Sequence, residues 1–228
     1  QRRQLTMTNL EIIAENNDYI VVNKNAGLIS EKSPYEKLTV ENQVFEHLLK
    51  NKSKPFVGII HRLDRVTSGV LIMAKKKSVL IAFNSLFSER KVQKTYLALV
   101  KQKPLKNKGK LHHFLIKNNI EKRAEIEVTK SKEALSCSLS YAIIAENQYG
   151  YLLEVKPRTG RFHQIRAQLS HIGSPIIGDE KYGSKIPYKS LSVCLHAWKL
   201  TYTDAETKVN VTFEAPLPKN EFWKFDTL

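Results

Sequence analysis

Residues 58–74 read GIIHRLDRVTSGVLIMA, with a cluster of charged residues between two apolar segments. Residues 69–74 are a short apolar run that follows a turn signal, which predicts a buried strand. The charged residues before that strand are therefore predicted to lie on a loop that rigid structure holds on both sides. Loops of this kind often carry functional residues.

Asp64 is the acidic residue of this loop and lies between Arg62 and Arg65. Nearby guanidinium charge favours the carboxylate form of an aspartate, which suits a nucleophile or a base. The same pattern is typical of a salt-bridged aspartate that only stabilises a turn. The spacing of these residues is compatible with both interpretations.

The rest of the chain alternates between strand and helix signals. Strands are predicted over residues 11–15, 19–24, 69–74, 95–100, 138–145, 151–156, 194–200 and 209–214, and helices over residues 39–50, 78–89 and 162–172. Strands dominate and helices are interspersed, so the sequence predicts an α+β fold: a mixed, mainly antiparallel sheet with flanking helices. Residues 1–9 are predicted to be a flexible tail, and residues 10–228 a single domain.

The helix predicted over residues 162–172 has an apolar stripe and a basic flank. The stripe follows the spacing i, i+3, i+7 and i+10, and consists of Phe162, Ile165, Leu169 and Ile172. Gly173 is the predicted C-terminal stop. Residues 158–166 read RTGRFHQIR, and three arginines and a histidine so close together indicate phosphate contact. A basic helix that faces solvent is the alternative interpretation.

The chain is strongly basic, since 37 Lys and Arg residues against 22 Asp and Glu residues give a formal net charge of +15. Such a charge attracts polyanions, above all nucleic acid. Residues 101–132 contain ten basic and three acidic residues and predict a long basic hairpin, which either contacts a ligand or faces water. The loop at 178–185, with Lys181 and Lys185, is either a second contact to RNA or an ordinary surface loop.

Several segments in this order resemble the RluA-type pseudouridine synthases. They are HRLD at 61–64 with TSG at 67–69, KTYLALV at 94–100, TGRFHQIR at 159–166, the stretch 175–183, NDYIVVNK at 17–24 and LHA at 195–197. The resemblance covers residues 10–218 and implies the pseudouridine synthase catalytic fold. No S4-type RNA-binding domain is evident before residue 10, which is typical of the short form of this family. Asn25 and Phe162 stand where the family often has proline and threonine.

The resemblance also implies roles for individual residues. Asp64 would be the catalytic aspartate, Tyr96 would stack on the target base, and Arg166 would be the basic partner of the aspartate. Arg62 would help to hold the target nucleotide. Further contacts to substrate RNA are expected from His61, Arg65, Arg161, His163, Lys181 and Lys185.

The implied reaction is the isomerisation of specific uridines in structured ribosomal or transfer RNA. The N1–C1′ bond breaks, the base rotates, and C5 joins C1′, after the nucleotide has left its stack. No redox change or group transfer occurs, so we expect neither a metal nor a cofactor, and the sequence has no phosphate-binding loop or zinc motif. Whether Asp64 attacks covalently or abstracts a sugar proton is open. Apolar runs are too short to span a membrane, and we expect a cytoplasmic monomer.

Three other functions are compatible with these residues. A glycosidase or base-excising enzyme needs a second carboxylate, which would have to come from a distant part of the chain. A nuclease could use His61 and His163 as acid and base. The third alternative is an RNA-binding module without catalysis, in which Asp64 would be structural.

Overall fold

The structure is a computed structural model that describes residues 10–127 and 129–226. The predicted tail at residues 1–9 lies outside the described residues. Within the described residues, no helix is both long enough and apolar enough to cross a membrane.

The described residues form one large sheet with three α-helices and two short 3-10 turns. The strands are β1 (Glu11–Glu15), β2 (Tyr19–Lys24), β3 (Gly58–Ile59), β4 (Ser68–Ala74), β5 (Val92–Val100), β6 (Lys108–Asn118), β7 (Arg123–Glu127), β8 (Leu135–Asn147), β9 (Gly150–Pro157), β10 (Leu195–Thr203) and β11 (Asn210–Glu214). The helices are α1 (Val40–Leu49), α2 (Lys77–Ser88) and α3 (Gln164–His171), and the 3-10 turns are Glu180–Tyr182 and Glu221–Trp223.

The sheet runs in the order β1-β2-β4-β10-β5-β9-β8-β6-β7, with β3 paired to β4 and β11 paired to β10. Its one parallel pair among the described strands joins β4 to β10, and the other pairs are antiparallel. The α+β prediction with a mixed, mainly antiparallel sheet is confirmed.

The parallel contact depends on a glycine. Gly69 pairs with Ala197 and has a φ of +115°, a conformation that L side chains rarely adopt. A Cβ atom at this position would lie 2.1 Å from the carbonyl oxygen of Ala197. The close approach brings β10 against the start of β4, and so against the loop that contains Asp64.

Two hydrophobic clusters meet at the centre of the sheet. One lies mainly on β5, β9 and α3 and includes Leu97, Leu153 and Leu169. The other lies mainly on β2, β4 and α1. The ring of Tyr96 packs against both clusters, so the middle of β5 is a well-supported position for a functional side chain.

The predicted helix at 162–172 begins later than the apolar spacing indicates. The structure has α3 from Gln164, and His163 before it adopts a left-handed conformation with φ of 50°. The side chain of Gln164 accepts a hydrogen bond from the Arg161 backbone N–H at 3.1 Å, which stabilises a turn at residues where the stripe required helix. Phe162 is consequently 40 % exposed and was wrongly assigned to the buried stripe. The predicted stop at Gly173 is confirmed, with φ of +79°.

The basic excursion at 101–132 contains a hairpin, as predicted. Its strands are β6 and β7, which pair antiparallel from Phe114 with Glu127 to Asn118 with Arg123. The other edge of β6 pairs with β8, so the hairpin extends the main sheet. Helix α3 packs against both hairpin strands, which connects this basic region to Arg166.

Candidate active site

A cleft of about 870 Å³ lies over the centre of the sheet. It is lined by the loop before β4, by the first half of β5, and by the turn that leads into α3. Seven of the predicted site residues lie along it: His61, Arg62, Asp64, Tyr96, Arg161, His163 and Arg166. The predicted contacts Arg65, Lys181 and Lys185 do not line it.

The cleft is strongly electropositive. Its lining contains seven Lys or Arg residues: Arg62, Arg90, Lys94, Lys156, Arg158, Arg161 and Arg166. Asp64 is the one acidic residue in that lining. Such a distribution attracts a polyanion and concentrates the carboxylate chemistry on a single side chain.

Asp64 is presented by the turn between the HRLD segment and β4. Its carbonyl oxygen accepts a hydrogen bond from the Thr67 N–H at 3.0 Å, which closes the turn. The side chain is 26 % exposed, and its Oδ2 atom lies 3.3 Å from Nη1 of Arg166. Nε2 of His163 lies 3.6 Å from the same oxygen. The structure therefore joins Asp64 and Arg166, which are 102 residues apart in the chain.

Arg166 is itself held by a second carboxylate. Its Nε and Nη2 atoms donate to the two oxygens of Asp179 at 2.7 and 2.9 Å. Both side chains are almost fully buried, with exposures of 5 % and 1 %. This bidentate geometry is a strong, directional form of the arginine–carboxylate interaction. Asp179 therefore orients Arg166 so that its remaining nitrogen faces Asp64.

The loop that contains Asp179 packs its Tyr182 side chain against the hairpin and α3. The Tyr182 hydroxyl accepts a hydrogen bond from the Ala124 N–H at 2.7 Å and lies 3.0 Å from Nδ1 of His163. The Tyr182 ring also lies under the Arg166 guanidinium, 5.0 Å from centroid to Cζ. Burial raises the pKa of Tyr182 to about 12, so it stays a neutral phenol. Residues 179–182 therefore connect the hairpin, α3 and the site.

The two lysines of this loop that were predicted to contact RNA, Lys181 and Lys185, do not line the cleft. Lys181 Nζ donates to the carbonyl oxygens of Glu121 and Lys122 at 3.1 and 3.3 Å, across the tip of the hairpin. Lys185 is exposed. Any contact of either lysine with RNA would therefore lie outside the cleft.

Burial, and not the charge of the neighbouring arginines, has the largest effect on the pKa of Asp64. Burial raises the pKa of Asp64, and the charge and hydrogen bond of Arg166 oppose that rise, followed by Lys24 and Arg62. From their positions in the sequence, Arg62 and Arg65 were expected to favour the carboxylate form of Asp64. In the structure Arg62 Nη1 contacts Glu31 at 2.5 Å and Arg65 contacts Glu36, so both guanidinium groups have other partners. Arg62 does lower the pKa of Asp64, as expected, but the larger opposing effect comes from Arg166 of α3, and Arg65 pairs with Glu36 instead.

Tyr96 presents its hydroxyl without a hydrogen-bond partner among the residues that the structure describes. Burial raises the pKa of Tyr96, and the negative charge of Asp64 raises it further. The phenol is therefore protonated at neutral pH. It can donate a hydrogen bond and stack through its ring, and it is a weak base in the free enzyme.

His61 and His163 are both neutral in this environment. Burial lowers the pKa of each to about 3, with Lys94 adding to the effect at His61 and Arg166 at His163. Nε2 of His61 accepts a hydrogen bond from the Ile72 N–H at 3.3 Å, and its ring stacks on Phe87. Neither histidine is therefore suited to act as a general acid near pH 7.

Lys24 supports the Asp64 loop through the carbonyl oxygen of Arg65 and was not singled out as a site residue in the sequence. Its ammonium donates to the carbonyl oxygens of Asn25, Leu28 and Arg65 at 3.0, 2.6 and 3.1 Å. Burial lowers the pKa of Lys24 to about 7, against the opposing charge of Asp64. The sequence carried no signal for this role, because a lysine at the end of an apolar strand usually faces solvent, and its 1 % exposure is visible only in the structure.

The cleft has one acidic residue in its lining, Asp64, which pairs with Arg166, and the other charged lining residues are cations. This arrangement is typical of an enzyme site for a polyanionic substrate. The family model for RNA pseudouridylate synthase matches residues 18–171. A Haemophilus influenzae protein named "Uncharacterized RNA pseudouridine synthase" is 34 % identical over 217 residues, which cover 94 % of this chain and 90 % of the relative. The tRNA pseudouridine synthase C of Vibrio parahaemolyticus is 30 % identical over 226 residues, covering 91 % of this chain and 90 % of the relative.

Structural similarity agrees with these relatives. The solved structure of human RNA pseudouridylate synthase domain containing 1 matches with a TM-score of 0.75 and 27 % identity, covering 96 % of this chain and 90 % of that chain. This chain belongs to the RNA pseudouridine synthase family, in its RluA-type branch, and is an isomerase that acts on RNA. The resemblance found in the sequence is confirmed.

Proposed function

We propose that this enzyme converts specific uridines of structured ribosomal or transfer RNA to pseudouridine, with Asp64 as its essential carboxylate. The observation that supports this most strongly is the pairing of Asp64 with Arg166 in a cleft that has no other acidic residue in its lining. We further propose that residues 10–228 act as a single catalytic domain, as a cytoplasmic monomer, without a metal or cofactor.

The proposed chemistry proceeds in three stages. The N1–C1′ bond of the flipped uridine breaks, the detached base turns, and C5 bonds to C1′. The C5 proton is then lost and N1 gains a proton, so that atoms and charge balance. Asp64 either attacks the nucleotide covalently or removes a proton from the sugar, and both roles need its carboxylate form.

Arg166 would hold Asp64 in that form when bound RNA excludes water from the cleft. Opposite charge at 3.3 Å favours ionisation, whereas desolvation opposes it. Because Asp179 orients the guanidinium, this pairing is organised before RNA binds. Preorganised charge lowers the reorganisation needed during the reaction.

Tyr96 would support the target base. Its ring lines the same cleft as Asp64 and is held by two hydrophobic clusters, which suits stacking on an unstacked uracil. Its free hydroxyl would donate a hydrogen bond to the base and could exchange a proton with it late in the reaction. Arg62, His61, Arg161 and His163 are the proposed contacts to the nucleotide and its neighbours. For Arg65, Lys181 and Lys185 we propose contacts to RNA outside the cleft.

Two of the alternative functions have little support from this geometry. A glycosidase needs a second carboxylate near the scissile bond, yet Asp179, which Arg166 joins to Asp64, is 1 % exposed and engaged on both oxygens by Arg166. A nuclease that uses His61 and His163 needs one protonated imidazole, but burial lowers the pKa of both to about 3.

The direct test is to incubate the enzyme with total RNA from cells that lack its gene and to map pseudouridines by carbodiimide labelling and primer extension. We expect new pseudouridines at a few defined positions in ribosomal or transfer RNA. Release of free uracil would instead indicate a glycosidase, and chain cleavage a nuclease. Absence of all three products would leave the RNA-binding module and would contradict the proposal.

A further inference from the structure

Lys94 is a lysine of the cleft without a counterion. It lies on β5, lines the cleft, and makes no hydrogen bond or ion pair with any residue in 10–127 or 129–226. Its closest favourable contact is the ring of Phe87, whose centroid is 6.0 Å from Nζ. Lys156 of the same cleft differs, since its Nζ lies 2.6 Å from Glu154.

The surroundings of the Lys94 ammonium are rigid. A Cβ atom on Gly160 would lie 3.2 Å from Nζ, so the ammonium rests against the backbone of the turn before α3. That turn is fixed by Gln164, which accepts a hydrogen bond from the Thr159 hydroxyl at 2.7 Å and donates to the Ser138 carbonyl at 3.0 Å. The glycine leaves the space that the ammonium occupies.

This arrangement is unfavourable for the protein alone. Burial lowers the pKa of Lys94, and no anion of the described residues opposes the shift. Lys94 is only half-buried, but partial burial of a cation without a partner still leaves its desolvation uncompensated. An anion supplied by a ligand would remove this cost. The electropositive lining around Lys94 shows that such a ligand would be attracted to the cleft.

The position of Lys94 relative to Tyr96 indicates which anionic group Lys94 would bind. The two residues are separated by one position on β5, so their side chains lie on the same face, about 7 Å apart along the strand. We propose that Lys94 binds a phosphodiester group of the RNA strand next to the uridine that stacks on Tyr96. The inference rests on the proposed function, which places the target base against Tyr96.

Salt dependence of binding tests the proposal. The affinity for a fluorescein-labelled oligouridylate would be measured across a series of KCl concentrations for the wild type, Lys94→Met and Lys76→Met. Lys76 is the matched control, because it lies outside the cleft lining and pairs with Asp18 at 2.7 Å. Lys94→Met should bind about tenfold more weakly at low salt. The slope of log K against log salt should shrink by about 0.7, the value for one phosphate of a single strand. Lys76→Met should keep both the affinity and the slope.

Thermal unfolding separates a binding role from a structural one. Because Lys94 has no hydrogen bond or ion pair to lose among the described residues, Lys94→Met should keep or raise the Tm. A wild-type slope in Lys94→Met, or a clear fall in its Tm, would overturn the phosphate assignment. Pseudouridine formation by the wild type is scored separately. If no pseudouridine forms but the slope still shrinks in Lys94→Met, the proposed function fails while the phosphate site stands.

Discussion

The Arg166 guanidinium donates to both oxygens of Asp179, at 2.7 and 2.9 Å, and its third nitrogen lies 3.3 Å from Asp64. Arg166 thus connects two carboxylates with different surroundings. Asp179 is fully buried, whereas Asp64 is 26 % exposed and faces the cleft. The first carboxylate fixes the arginine, and the second is available to a substrate.

Replacing Asp179 by Asn should destabilise the protein. The change leaves Arg166 buried with one of its two close charge partners missing, and breaking a buried pair in this way costs about 3 kcal/mol. Chemical denaturation at pH 7 measures the loss. Asp226→Asn, at an exposed carboxylate, is the matched control and should be neutral. Equal stability of the two variants would show that Asp179 does not hold Arg166.

Replacing Asp64 by Asn should have the opposite effect on stability. Burial raises the pKa of Asp64 above its value in the unfolded chain, so ionisation of this group opposes folding as pH rises through that range. The Asn variant lacks this effect, and its Tm at pH 7 should equal or exceed that of the wild type. The two Tm values should converge at pH values below the unfolded pKa. A lower Tm for the variant at pH 7 would contradict the sign of the shift.

Replacing Arg166 by Gln should move the acid limb of the pH–rate profile to higher pH. Arg166 is the strongest of the groups that lower the pKa of Asp64, and the proposed chemistry uses the ionised aspartate. Single-turnover rates across a pH series measure the limb in the residual activity. Arg166→Lys retains the charge, so its limb should lie closer to that of the wild type. Coincident acid limbs for the wild type and Arg166→Gln would show that Arg166 does not affect the ionisation of Asp64.

Replacing Tyr96 by Phe should leave RNA affinity nearly unchanged, because the ring that is proposed to stack on the base is retained. Turnover should fall by about 100-fold, since the variant lacks the hydroxyl that is proposed to donate to the substrate and to take part in proton transfer. Tyr96→Leu should lose both affinity and turnover. Normal turnover by Tyr96→Phe would show that the Tyr96 hydroxyl has no role and that the residue acts only by stacking. Equilibrium binding and single-turnover assays on the same RNA distinguish these outcomes.

The local structure was largely predictable because apolar spacing records which face of an element is buried. The strand at 69–74 and the helix at 39–50 were recognisable in this way, with ends that differ from the structure by at most one residue. The start of α3 was not, because the turn there depends on the Gln164 side chain, which apolar periodicity does not register.

The site was predictable as a set of segments, together with the pairing of Asp64 and Arg166, but its other contacts were not. The segments around Asp64, Tyr96 and Arg166 were identified by their order and resemblance, and the structure brings them into one cleft. The roles of Asp179 and Lys24 were not recognised, because both side chains act through partners that only the fold brings close. Of the two arginines next to Asp64 in the sequence, Arg65 was misleading, since it pairs with Glu36 and not with Asp64.

The central claim is that Asp64 performs the chemistry and is not needed to bind RNA. Asp64→Asn and the exposed control Asp226→Asn would be compared for pseudouridine formation and for RNA affinity on the same substrate. We expect no detectable pseudouridine with Asp64→Asn, RNA affinity close to that of the wild type, and full activity in the control. Pseudouridine formation by a folded Asp64→Asn variant would contradict the account.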